Sequence, residues 1–159
     1  MIQHCMATPV GTLTLQACDT GLTAIHWGEI AGEFEDDSPA ARQILEQAER
    51  ELMGYFSGQL THFETPLAAT GTSFQTQVWQ ALLAIPYGET QSYGELAKRI
   101  GRSGAARAVG AAAGKNPLPI IVPCHRLIGS NGQLTGFASG LVNKRTLLAL
   151  EQSAGLFRR

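Results

Sequence analysis

The stretch SYGELAKRIGRSGAARAVGAAAGKN, residues 92–116, decides how the second half of the chain is built. Ser92 followed three residues later by Glu95 is a capping box, in which each side chain answers the other residue's backbone N–H. It opens a short helix to about Ile100. Gly101, Arg102, Ser103 and Gly104 then supply a turn. Ala105 to about Lys115 forms a second helix, closed by Asn116 and Pro117. Two short helices across a glycine turn, with Ala97 four residues before Gly101, fit a helix-turn-helix. They fit an ordinary helical hairpin too.

The second helix is nearly bare of side chains, with Arg107 its one cation before Lys115. A helix that reads base edges in a major groove needs Asn, Gln, Arg or Lys at several exposed positions. This one cannot read much sequence. Its backbone at Ala106, Ala108, Gly110 and Ala111 could approach a narrow surface while Arg107 reaches in, which suits sequence-tolerant minor-groove contact. The bland alternative is a small-residue helix packed against a neighbour, with Arg107 on its solvent side.

Outward toward the N-terminus, Thr72 and Gln75 form another capping box. Phe74, Val78, Trp79, Leu82 and Leu83 make an apolar helical face that Pro86 and Gly88 stop. Toward the C-terminus, Ile120-Ile121-Val122 is short, apolar and β-branched, as in a buried strand, and Pro123 cuts it to present Cys124 at its end. Most lone cysteines are small core residues. Here His125 is adjacent, and Arg126 and the basic chain around them are expected to lower the thiol pKa. Neighbouring side chains diverge, so a His125–Cys124 relay would run through a water. A histidine base also wants a carboxylate. By elimination among the few acids of this half, that partner is Glu151, on a last helix from about Val142 to Ser153.

The first half has a different texture. Residues 12–17 and 22–27 alternate apolar and polar across the turn at Cys18-Asp19-Thr20-Gly21, so a β-hairpin is expected. Ser38-Pro39 starts a helix carrying Ile44, Leu45, Ala48, Leu52, Tyr55 and Phe56, and Gly58 ends it. Residues 59–72 read as a connector. Nothing in this half shows catalytic spacing.

Charge separates the halves. The 159 residues carry a formal net charge of −1, yet residues 1–72 hold ten acids against Arg42 and Arg50. Residues 73–159 hold Glu89, Glu95 and Glu151 against ten Lys and Arg. One half is suited to avoid polyanions and the other to meet them. No stretch approaches the roughly 18 apolar residues of a membrane span. Met1 to Cys5 lacks the features of a signal peptide. Cys5, Cys18 and Cys124 are an odd number, consistent with reduced thiols in a cytoplasmic protein.

Taken together, Pro123-Cys124-His125-Arg126, Asn116-Pro117, the 104–110 and 74–79 segments and the run from Pro86 through Tyr93 to Ala97 resemble the O6-alkylguanine-DNA alkyltransferase family. The match is strong over about residues 73–151 and looser before, chiefly at Thr8-Pro9-Val10-Gly11. The resemblance implies an α+β fold: a ribonuclease H-like N-terminal domain, 1–72, with a small antiparallel sheet and a helix, and a mainly helical, winged-helix-like domain, 73–159. It implies irreversible, stoichiometric transfer of the alkyl group of O6-alkylguanine in double-stranded DNA to Cys124, with O4-alkylthymine a further candidate substrate. The base would be flipped through minor-groove contacts, and no cofactor is implied.

The same resemblance assigns residues. Cys124 would be the acceptor, His125 and Glu151 the relay, and Asn116 the brace of the turn after the recognition helix. Tyr93 would assist the departing guanine, and Arg107 would fill the stack left by the extruded base. The physical chemistry agrees: a soft nucleophile attacks the alkyl carbon, and an acid or hydrogen-bond donor serves the leaving group. Lys98, Arg99, Arg102 and Lys115 are candidate phosphate contacts, although plain solvated charge is the ordinary reading of each.

Three departures matter. Some relatives bind a structural zinc, but Thr23 stands where a histidine is expected, Cys18 occupies one ligand position alone, and Cys5 beside His4 is out of register. No zinc is expected. The loop with Phe137, Ala138 and Ser139 lacks the common tyrosine and one glycine, which bears on pocket width. A chain without the extra N-terminal domain of the fused transcription-regulating relatives is expected. A monomer in solution is expected. The rivals are a non-enzymatic module that flags alkylation damage, a Cys–His hydrolase, and a redox-regulated DNA-binding protein.

Overall fold

The computed structural model describes residues 1–32, 38–132, 137 and 140–157, with side chains as far as residue 153. The chain divides into two compact units, Met1–Thr70 and Gly71–Arg159. The fold is α+β.

In the first unit, β1 (Ile2–Thr8), β2 (Gly11–Cys18) and β3 (Gly21–Trp27) form an antiparallel sheet in that order. Gly11, at φ +96°, makes the first turn possible, and the Thr8 hydroxyl donates to the Gly11 carbonyl at 2.6 Å. Leu13, Leu15 and Ala17 of the central strand are fully buried, and helix α1 (Pro39–Phe56) packs on the sheet. Ser38 caps α1, with Pro39 at its first turn. Ala41, Ile44, Leu45, Ala48, Leu52 and Tyr55 are its buried stripe at helical spacing. Residues 59–70 are more than a connector. Leu22 bridges Leu67 in parallel, and the Glu51 carboxylate accepts from Thr65 Oγ1 at 2.6 Å, Thr65 N at 3.0 Å and Glu64 N at 3.1 Å.

In the second unit, α2 (Ser73–Leu83) and α3 (Tyr93–Arg99) each begin with a complete capping box, Thr72 with Gln75 and Ser92 with Glu95. Gly101 and Gly104, at φ +74° and +86°, turn the chain into α4 (Ala106–Gly114). Val109, Ala112 and Ala113 form the buried face of α4, which packs on both α2 and α3. Trp79 Nε1 donates to the Ala112 carbonyl at 2.9 Å and ties α2 to it. A 3-10 turn at Cys124–Arg126 leads into β5 (Leu127–Ile128), parallel to β4 (Gln91–Ser92). The last helix, α5, spans Leu141–Phe157. Among the described residues no helix is long and apolar enough to cross a membrane.

One sequence expectation fails. Residues 120–122 are buried but form no strand: the chain turns there, with Ile120 at φ +75°. Proline at 117, 119 and 123 removes backbone donors on either side, and three residues are too few to build a ladder alone.

Candidate active site

The site is assembled on the turn that replaces the expected strand. Asn116 follows α4 and closes residues 116–122 with its side chain. Its Nδ2 donates to the Val122 carbonyl at 2.8 Å, and Leu118 N donates to its Oδ1 at 2.9 Å. Val122 N donates to the Leu118 carbonyl at 2.9 Å, so the loop is braced from within. Holding β-branched Ile120 in the left-handed region is strained, and this bracing maintains it. The chain then delivers Cys124 at the start of the 3-10 turn, half-buried, with Asn116 also hydrogen-bonded to its side chain.

His125 is fully buried, and its Nε2 lies 2.6 Å from Glu151 Oε2 on α5. Arg126 grips the same carboxylate in a fork, Nε to Oε1 at 2.9 Å and Nη2 to Oε2 at 3.1 Å. Gly88 N adds a bond to Oε1 at 3.1 Å. Burial alone would push Glu151 up, but the hydrogen bonds and charges of His125 and Arg126 outweigh it and hold the carboxyl at about 2. An ionised carboxylate only accepts, so Nε2 carries the ring proton. Nδ1 is therefore the ring nitrogen without a proton. It is buried and has no hydrogen-bond partner among the described residues.

Two expectations about charge are corrected here. Arg126 does not spread positive potential over the thiol as the sequence implied: it is buried and committed to Glu151 and, through Nη1 at 2.7 Å, to the Ile85 carbonyl. The thiol of Cys124 is not lowered as expected. Burial pushes its thiol up, against the opposing hydrogen bond from Asn116 and the charge of Lys144. Burial likewise lowers His125, against the carboxylate of Glu151, and keeps the imidazole neutral.

The remaining assigned residues lie on α3, α4 and their surroundings. Arg107, Ala108 and Ala111 are exposed together on the face of α4 opposite Val109 and Ala112, while Ala106 and Gly110 are half-buried. Arg102 and Lys115 are exposed, Arg102 with its guanidinium 5.7 Å from the Phe74 ring centroid. Lys98 is exposed too. Arg99 is tied to Gln91 Oε1 at 2.8 Å and to the Ala81 carbonyl, which gives it a structural duty. Tyr93, at the start of α3, is half-buried, its ring edge in contact range of a Cβ built on Gly110. Phe137 is half-buried; Ala138 and Ser139 lie outside the described residues.

With this geometry in hand, comparison with known proteins is decisive. Residues 73–153 match the DNA-binding domain of 6-O-methylguanine DNA methyltransferase, and residues 1–69 match its ribonuclease-like domain. The chain belongs to the 6-O-methylguanine DNA methyltransferase family. A methylated-DNA–protein-cysteine methyltransferase of Methanosarcina acetivorans is 48% identical over 92% of this chain and 95% of its own. That of Mycobacterium tuberculosis is 49% identical over 92% of this chain and 89% of its own. The crystal structure of the M. tuberculosis OGT in complex with DNA superposes with a TM-score of 0.85 at 48% identity, covering 94% of this chain and 92% of that one. Family membership makes this chain an enzyme of the methyltransferase class, working in DNA repair by alkyl transfer.

One member of the site escaped sequence reasoning. Lys144 is fully buried, with its Nζ 5.9 Å from the Tyr93 ring centroid and its charge acting on Cys124. Burial lowers its pKa, and negative charge on Cys124 opposes that. In this methyltransferase-family chain Lys144, Leu147 and Glu151 recur at i, i+3 and i+7, one face of α5. That spacing was the signal available.

Proposed function

We propose that this chain repairs DNA by direct reversal, taking one alkyl group from O6 of an alkylated guanine in a duplex onto Cys124 Sγ, once per molecule and without a cofactor. The observation that carries this is the buried His125–Glu151 pair at 2.6 Å, with His125 Nδ1 unpartnered among the described residues and the thiol of the preceding residue, Cys124, hydrogen-bonded by Asn116. The lesion lies inside the stack, so its nucleotide is flipped, at a cost of a few kcal/mol. Arg107 fills the gap, and the bare exposed face of α4 sits in the minor groove, which imposes no sequence preference. The Cys124 proton passes through a water to His125 Nδ1, and Glu151 steadies the imidazolium. Sγ attacks the alkyl carbon: the S–C bond forms, the C–O6 bond breaks, and its electron pair stays with the purine. Tyr93 donates to that purine, and the net proton moves from sulfur to guanine. Lys144 stabilises the transient thiolate. The thioether is not hydrolysed, which makes the reaction stoichiometric. The protein acts as a monomer in the cytoplasm.

The test is an equimolar mixture with a duplex carrying a single O6-methylguanine, followed by intact mass and peptide mapping. One added methyl, on Cys124 and saturating at one per chain, is the expected result. An unmodified protein that still binds the lesion duplex would overturn it in favour of a damage-flagging module.

A further inference from the structure

The transfer chemistry uses Glu151 and gives no duty to its neighbour on α5, Gln152. Residues 86–89 form a reverse turn, closed by Glu89 N donating to the Pro86 carbonyl at 3.1 Å, with Gly88 at φ +80°. That bond uses neither polar group of the Gly88 backbone. Helix α5 takes both: Gly88 N donates to Glu151 Oε1 at 3.1 Å, and Gln152 Nε2 donates to the Gly88 carbonyl at 2.7 Å. Consecutive helical side chains point about 100° apart, so the two close on Gly88 from different sides. A Cβ built on Gly88 would lie 3.7 Å from the Glu151 carbonyl oxygen, so the turn also rests against the helix backbone.

The two grips face different halves of the chemistry. Glu151 also holds His125, on the thiol side. Among the described residues the Gln152 side chain bonds Gly88 and no member of that relay. From Gly88 the chain runs through exposed Glu89 and Thr90 into β4, whose Gln91 and Ser92 pair in parallel with Leu127 and Ile128. Ser92 then caps α3, and Tyr93 is the first residue of that helix. We propose that Gln152 is a positioning residue for the leaving-group side of the transfer: by holding the Gly88 carbonyl it fixes the 86–92 segment, and with it the placement of Tyr93 against the departing guanine. This rests on the reading of Cys124 as acceptor and Tyr93 as donor. Adjacent positions on one helix then serve the two ends of the reaction, Glu151 the thiol and Gln152 the purine. Gln152 is exposed and fills no part of the core, so its replacement leaves the packing of α5 intact.

The experiment follows single-turnover transfer from a duplex carrying one O6-methylguanine, with the full chain at saturating concentration. Gln152→Met keeps the length and removes the donor, whereas Gln152→Lys keeps an N–H donor. Gln152→Met is expected to slow transfer about fivefold, the worth of one hydrogen bond, and Gln152→Lys to recover most of the rate. Iodoacetamide labelling of Cys124, which has no purine to protonate, is expected to match wild type. In a Tyr93→Phe background, itself slow, Gln152→Met is expected to add nothing, because a positioning residue acts only through what it positions. Full additivity in that double variant overturns the proposal, as does an equal loss of iodoacetamide labelling. Should Gln152→Met fail to melt cooperatively, Gln152→Ala, which suits a helix, takes its place. A wild type that transfers nothing overturns the acceptor reading, and a Tyr93→Phe as fast as wild type overturns the donor reading; either takes this proposal with it. A slow Tyr93→Phe beside an unslowed Gln152→Met overturns this proposal alone.

Discussion

At the scale of single residues, Glu151 does most to hold the site together. Its carboxylate joins the turn at Gly88, the 3-10 turn and α5. Held at about 2 in the fold against an ordinary 4.5, it contributes stability that is complete above pH 4.5 and is lost as pH falls toward 2. The size is about 3 kcal/mol. Buried neutral His125 acts in the same direction from higher pH, because the unfolded chain takes up its proton first, below about 6.5. Denaturant melts of wild type and Glu151→Gln at pH 7, 5 and 3 are expected to show a stability gap that narrows as the pH falls. An unchanging gap would mean the carboxylate acts by shape alone. Asn116→Ala removes both bonds that brace residues 116–122 as well as the bond to the thiol, and is expected to cost about 1–3 kcal/mol by urea titration and to slow transfer to duplex. The sequence reading singled out Cys124 and His125 by residue type, Glu151 by elimination and Asn116 by family resemblance, and the structure brings His125 against Glu151 and Asn116 against Cys124. Lys144 was illegible. Lysine is ordinarily exposed, and only its register with Glu151 on α5 marks it as buried.

At the scale of elements, local chemistry was readable wherever it was satisfied locally. Both capping boxes and the Ser38-Pro39 helix start are present because their hydrogen bonds close within three residues. Residues 120–122 misled because their conformation is set by the Asn116 side chain and three prolines, and β-branched composition cannot reveal that. Residues 59–70 misled similarly: their partners, Leu22 and Glu51, are distant in sequence. Two glycines separate these influences. A Cβ on Gly110 would meet the Tyr93 ring at 3.5 Å, an ordinary contact, so Gly110→Ala is expected to fold and to gain up to about 1 kcal/mol of helix stability. A Cβ on Gly21 would come within 2.9 Å of the backbone at residues 66–68, so Gly21→Ala is expected to lower stability by about 1–3 kcal/mol. Thermal melts of both variants check this, and similar melting points for the two would contradict it. On the exposed face of α4, Arg107→Ala is expected to weaken duplex binding with little effect on reaction with free O6-benzylguanine. Equal loss in both assays would place Arg107 in the chemistry instead.

At the scale of the whole molecule, charge divides with the two units, and only part of it is free to meet a polyanion. Arg126 and Lys144 are buried and Arg99 is tied down. Besides Arg99, which is exposed but hydrogen-bonded to Gln91 and the Ala81 carbonyl, the exposed cations of α3, α4 and the residues flanking them are Lys98, Arg102, Arg107 and Lys115. Four phosphates neutralised give a plot of log K against log salt with a slope of about −3 to −4. Fluorescence anisotropy on an undamaged duplex measures it, and a slope near zero would remove these side chains from the interface. The order of parts along the chain has a consequence for biosynthesis. The ribosome makes Cys124, His125 and Arg126 before Lys144 and Glu151. A nascent chain that stops short of α5 carries the thiol without its carboxylate or its cation, and so has no relay. On the proposed mechanism the protein becomes reactive only when its last helix has been made and has docked, so an unfinished chain would not consume its acceptor thiol.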